Sequence, residues 1–254
     1  MQMFYDRILQ SKIRVFLLVV LLFFPSLEIF VYLYNITTGD PVLIPDYAFF
    51  LNCNTTGIGH VFQSVFLWFM PLYCLILASD DCIEDYVLGY KNILVSKIGR
   101  KEYIISHLKK SFVVSFLLVA GSLLTNLVLV HIVFYGGQYS PYSDELIMSD
   151  FYQWEVDYPF LTNLLFTLVT AFVTGMISMV GTVLGIVVHN RKLVYGITML
   201  LWMIPFLKKK SLMLLFQPHS EYVLDTLVPL AIEVLVIYLG VIMIAFFKEV
   251  CFEK

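Results

Sequence analysis

The chain has 254 residues, of which 60% are hydrophobic and only 14% charged, with a mean hydropathy of +0.86. A soluble domain carries about a quarter charged residues, so this balance excludes a soluble globular protein, and the long unalternating apolar runs exclude a transmembrane β-barrel. The net charge of −3 hides an asymmetry: no Lys or Arg occurs between Arg14 and Lys91, or between Lys110 and Arg191.

The basic residues cluster at Arg7/Lys12/Arg14, from Lys91 to Lys110, at Arg191/Lys192 and at Lys248/Lys254, while Asp40, Asp46, Asp144, Glu145, Asp150, Glu155 and Asp157 fall in the gaps. Basic loops stay in the cytoplasm. The expectation is therefore one all-α polytopic domain over residues 1–254, multi-pass in a cell membrane, with both termini cytoplasmic and no nucleic-acid partner.

In chain order, the first span is predicted at residues 15–34, where the apolar run continues past Pro25 with no small-residue cleavage site, so it is an uncleaved helix rather than a signal peptide. Further spans are predicted at residues 58–79, 111–135, 158–189, 193–207 and 227–247, six in all. A charged cytoplasmic segment, residues 80–110, separates the second and third. The fifth span is short and is followed by Lys208-Lys209-Lys210 and a second apolar piece, residues 211–216; with six spans, residues 211–222 form a re-entrant or interfacial outer element between helices 5 and 6, and the alternative is a re-entrant 193–207 with the triplet inside and an odd number of spans. The four cysteines are scattered: only Cys53 is expected outside, no disulfide is implied, and no metal spacing is present.

Two carboxylates, Glu28 and Glu233, fall within predicted spans. Such groups face the bundle interior or a water-filled path by default, which makes them candidates for a substrate path; the plainer alternative is hydrogen bonding near the headgroups. Pro25 is expected to kink the first helix and free carbonyls near Glu28. Gly181 and Gly185 in the fourth span form a small-xxx-small face, read as intrachain packing in preference to a dimer contact. There is no phosphate-binding glycine loop, no H-E-x-x-H and no G-x-S-x-G, so the chain is expected to hold no catalytic site and no metal. Asp80, Asp81, Glu84 and Asp85 form an acidic cluster, expected to lack His partners.

Within the charged segment, Tyr86, Val87, Tyr90, Ile93 and Leu94 make an apolar stripe at helical spacing, interrupted by Gly89, which suggests a bend or a close approach. Gly99 punctuates it, and Lys101–Lys110 leads into the third span. This is the shape of a lever, or of an amphipathic helix lying on anionic lipid. The run Glu84-Asp85, Gly89-Tyr90, Ile93-Leu94, then Ile98-Gly99-Arg100-Lys101-Glu102-Tyr103-Ile104 and Lys109, resembles the ABC-2 type permeases, the membrane subunits of bacterial ABC exporters. Met1–Arg14 is shorter than that family's amphipathic N-terminal helix.

The resemblance implies an amphipathic coupling helix between helices 2 and 3, with Glu84, Asp85, Tyr86, Gly89, Tyr90, Ile93, Arg100 and Tyr103 receiving force. It implies a separate ATP-binding subunit, which holds ATP and Mg, and a second permease, identical or paralogous. The cargo would be a hydrophobic or amphipathic compound: a peptide, a drug-like molecule or a lipid. The competing readings are an intramembrane enzyme built on Glu28 with Glu233, and a non-transporting scaffold or immunity protein.

Overall fold

Inside a bilayer each backbone N–H and C=O must find a partner within the protein, and runs of Leu, Val, Ile and Phe meet that demand as helices. The computed structural model describes residues 7, 10–52, 58–140, 149–220 and 224–252, and these are helical with no strand among them. Four helices, Lys12–Thr38, Arg100–Val133, Pro159–Val188 and Leu224–Val250, are long and apolar enough to cross a membrane, and a bent pair reaching from His60 to Val87 makes a fifth when counted as one. Cys53, Asp144, Glu145 and Lys254 lie outside the described residues.

The first crossing is two helices, α1 (Lys12–Phe23) and α2 (Glu28–Thr38), joined by a 3-10 turn, Phe24–Leu27. The expected disturbance at Pro25 is present, and its carbonyl accepts a hydrogen bond from the Asn126 side chain at 3.2 Å. Gly39, in the left-handed region at φ 115°, ends α2 four residues beyond the expected boundary.

The second crossing is α3 (Ile58–Trp68) and α4 (Met70–Cys74), bent by 51° where Pro71 cannot continue the ladder. A π turn, Leu75–Ser79, leads into α5 (Asp80–Val87). Asp80–Val87 continues the helical run of this bent pair, and its carboxylates are paired with cations of other helices. Gly89, at φ 75°, then turns the chain into α6 (Tyr90–Ile98), and Gly99, at φ 84°, turns it again into α7 (Arg100–Val133). The amphipathic helix expected between helices 2 and 3 is thus two helices, parted at Gly89.

The remaining elements are α8 (Asp150–Asp157), α9 (Pro159–Val188), α10 (Arg191–Phe206) and α11 (Leu224–Phe247), which ends in a π turn, Lys248–Phe252. Of the apolar stretch of α9, 72% is buried within the protein, against 28% for the first and last crossings, so α9 is the central helix and α1 and α11 face outward. It packs most extensively on α7. Thr162, Thr167, Thr170, Thr174, Ser178 and Thr182 recur on its buried face. Some bond back to their own helix, as Thr174 does to the Thr170 carbonyl, while Ser178 meets Ser115 at 2.8 Å and Thr182 donates to Ser79 at 2.9 Å. Gly185 sits where a Cβ would lie 2.7 Å from Cys82 Sγ, and a Cβ at Gly181 would collide with Leu75. The small-residue face therefore serves packing within the chain.

Two short pieces fill the ends. Phe49, Phe50 and Leu51 are fully buried, with the Phe50 N–H donating to Asn126 and the Gln63 amide donating to the Phe50 and Leu51 carbonyls. The expected outer loop thus dips into the bundle. Beyond α10, the short element between helices 5 and 6 is a 3-10 turn, Leu212–Leu215, followed by Phe216 stacked on Trp202 at 5.9 Å.

Candidate functional site

The acidic residues of α5 are spaced so that Asp81 and Asp85 share one face and Asp80 and Glu84 the next. Each face meets cations from other helices. Asp81 is held between Arg14 of α1 and Lys110 of α7, with both Asp81 and Lys110 about 1% exposed. Asp85, also 1% exposed, accepts from Arg7 at 2.7 Å, from the Tyr103 hydroxyl at 3.4 Å and lies 3.3 Å from His107 Nε2. The expectation that these carboxylates lack a His partner is corrected by His107, which α7 delivers from one turn beyond Tyr103. Asp80 takes the Tyr195 hydroxyl at 3.0 Å and Arg191 at 3.2 Å. Glu84 is half-exposed and bridges Arg14 and Arg191.

The next turn is tied in the same way. Lys91 of α6 pairs with Glu249, beyond α11, at 2.6 Å, and Arg100 donates to the Glu249 carbonyl at 3.2 Å. Tyr86 stacks on His189 at the end of α9, with ring centroids 3.7 Å apart. The segment from Asp80 to Arg100 is therefore bonded to the same end of α1, α7, α9, α10 and α11.

Buried charge on this scale holds together through mutual neutralisation, and stranding one partner costs about 3–5 kcal/mol. The opposite side of the segment has a different chemistry. Tyr86, Val87, Leu88, Tyr90 and Ile93 stand 50–72% exposed. Beside them run two grooves, one of about 570 Å³ walled by Ile83, Val87 and Leu88 under Arg191 and Lys192, the other of about 470 Å³ under Arg7 and Arg14.

The residues singled out from sequence thus divide in two. Tyr86, Tyr90 and Ile93 form the exposed face. Asp85 and Tyr103 are buried in the charge network, where they cannot touch another protein, and Arg100 is anchored to Glu249. Glu84 sits between the two groups. Gly89 supplies a bend; nothing lies within 4 Å of where its Cβ would be, so close approach is not its role. Sequence reasoning missed Arg7, Arg14, His107, Lys110, Arg191, Tyr195 and Glu249. The spacing of Tyr103, His107 and Lys110, at i, i+4 and i+7, places them on one helix face and was the available signal.

Glu28 and Glu233 have separate surroundings. Glu28 heads α2 and is 1% exposed, whereas the Glu233 side chain is 46% exposed and paired with Lys208. Among the described residues no group of three or more His, Cys, Asp or Glu side chains could hold a metal ion.

No protein-family model and no solved structure matches the chain. A curated relative, the uncharacterized protein YybM of Bacillus subtilis (strain 168), is 34% identical over 238 residues, covering 93% of this chain and 92% of its own length. Identity along almost the whole of both chains spans every helix of the bundle, and the protein belongs to the family of YybM.

Proposed function

We propose that the chain is the permease subunit of an ATP-driven exporter and that its charge-locked segment receives force from a separate ATP-binding subunit. The observation that carries this reading is the division within Asp80–Arg100: an exposed apolar face backed by ion pairs to Arg7, α1, α7, α10 and the turn after α11. Exposed apolar patches at a bundle end mark contact surfaces. A push on Val87 and Leu88 is carried into α1, α7 and α10 through bonds that are short and buried, so the helices tilt together and the bonds hold. The ATP and Mg belong to the partner, and the cargo is hydrophobic or amphipathic. A second permease copy or paralogue would complete the path, in a bacterial cell membrane.

Six crossings, with both termini cytoplasmic, belong to the same proposal. Arg7 is bonded to Asp85, and Glu249 to Lys91 and Arg100. Contacts that gather both ends of the chain at one end of the bundle favour an even number of crossings, which makes the short α10 the sixth. The rival enzyme reading, built on Glu28 with Glu233, is disfavoured by the exposure of Glu233 and its pairing with Lys208.

The test is co-purification of the tagged chain with an ATP-binding-cassette subunit identified by mass, comparing wild type with Val87→Asp/Leu88→Asp. The expected outcome is recovery of the ATPase with wild type and at least a tenfold loss with the variant. The melting temperature should not change, because exposed positions contribute within about 0.5 kcal/mol. Equal recovery with both proteins, or no ATPase with either, rejects the proposal.

A further inference from the structure

At the opposite end of α9 from the ion pairs of α5 lies another buried carboxyl, and among the described residues no cation pairs with it. Glu155 of α8 is 1% exposed. The main-chain N–H of His219 donates to its carboxyl group, and its Oε1 has no hydrogen-bond partner. The Glu155 carbonyl accepts from Thr162 at 3.3 Å, which fixes α8 on the start of α9. His219, 5% exposed, packs edge-on against Tyr47 with ring centroids 5.2 Å apart. Its φ of 53° is the left-handed conformation, which costs a residue other than glycine about 1 kcal/mol or more and persists only where surrounding contacts enforce it.

Three segments therefore meet at one point: α8, the 3-10 turn Pro45–Ala48, and the stretch between α10 and α11. Among the described residues, the other titratable groups on these elements include Tyr47, Asp46, which lies 3.5 Å from His131, and Asp150, Tyr152 and Asp157 on α8 itself.

We propose that Glu155 and His219 form a proton-operated latch: a neutral carboxyl holds α8 against the stretch between α10 and α11, and ionisation releases it. In the closed form burial pushes the Glu155 carboxyl up to about 8, from an ordinary 4.5, against the opposing effect of the His219 N–H. Burial pushes the His219 ring down to about 4 from 6.5. Closed, the pair thus holds one proton between about pH 4 and 8. Released, it holds two below about 4.5, one between about 4.5 and 6.5, and none above. Protons bound only by the closed form favour closure as pH falls. Closure is therefore level from about pH 4.5 to 6.5 and weakens tenfold per unit from 6.5 to 8, about 30-fold in all.

In an exporter this end would be the outward gate. The latch does not depend on that reading, and its test uses the chain alone, with no ATPase and no substrate. Spin labels at Gln153 and Gln217, in full-length protein in lipid nanodiscs with Cys53 and Cys251 replaced by Ser, report the separation of α8 from the connecting stretch. The short-distance population should hold from pH 5 to 6.5 and give way to a longer one by pH 8.5. Glu155→Gln should keep the short distance from pH 6.5 to 8.5, and should give it up below 6.5, where His219 alone is left to titrate. An unchanged wild-type distribution across this range, or a loss of the short distance between pH 6.5 and 8.5 in Glu155→Gln, overturns the proposal. Should Glu155→Gln fail to fold, the wild-type titration decides alone.

Discussion

Asp81 and Glu84 lie three residues apart on α5 and differ in everything but charge. Asp81 neutralises two cations that have no water to fall back on, whereas Glu84 is 44% exposed and shares its cations with other carboxylates. Asp81→Ala strands Lys110 and leaves Arg14 to Glu84 alone, and the expected loss is about 3–5 kcal/mol. Adding Lys110→Met should restore part of it by removing one stranded charge. Glu84→Ala should cost less than about 1 kcal/mol, as exposed ion pairs do. Thermal unfolding in detergent of the three variants checks the order, and equal losses for Asp81→Ala and Glu84→Ala would show that burial does not govern this network.

Glycine divides the elements by two mechanisms. At Gly89 the backbone alone requires it, since φ is 75° and the space beyond is open. Gly89→Asn should therefore be nearly neutral and Gly89→Val should cost about 1–2 kcal/mol. At Gly185 the backbone is ordinary helix, and the constraint is Cys82 Sγ at 2.7 Å and Ile83 at 3.3 Å from an added Cβ. Gly185→Val should drive α9 off α5 and lose folded protein altogether, as size-exclusion recovery after mild extraction would show. Both breaks that frame α6 were legible in the sequence, because Gly89 and Gly99 interrupt an otherwise helical pattern. The apolar helices were legible for the same reason. The pairing of the Asp80–Val87 carboxylates was not, because their partners Arg7, Arg14, Lys110 and Arg191 are 29 to 111 residues away in sequence. The descent of Phe49–Leu51 into the bundle was hidden likewise, since its polar backbone is met by Gln63 and Asn126, which nothing local predicts.

At the scale of the whole molecule the open question is the lysine triplet, which charge statistics alone would place in the cytoplasm. Its surroundings argue otherwise. α10 has 16 residues and spans about 24 Å, some 6 Å short of a hydrocarbon core of about 30 Å. It starts at Arg191, which pairs with Asp80, and ends at Phe206, two residues before Lys208, which pairs with Glu233. Glu233 lies nine residues into α11, about 14 Å from its start. Lys208 thus sits level with the middle of α11, and its long side chain leaves the charge half-exposed while the stem crosses apolar surface. The stretch from Leu212 to Phe216, with Leu212 and Phe216 fully buried, continues the path from there to α11. A helix of this length can complete a sixth crossing where the bilayer is locally thin. Single cysteines at Asn190, Lys209, Gln153 and Lys248, labelled with a membrane-impermeant reagent in intact cells and in inverted vesicles, decide the matter. Asn190 and Lys248 should label from one side and Gln153 and Lys209 from the other. Labelling of Lys209 from the same side as Asn190 would make α10 re-entrant and the number of crossings odd, and would then require the Lys91–Glu249 pair to join opposite membrane faces, which a bundle of this thickness forbids.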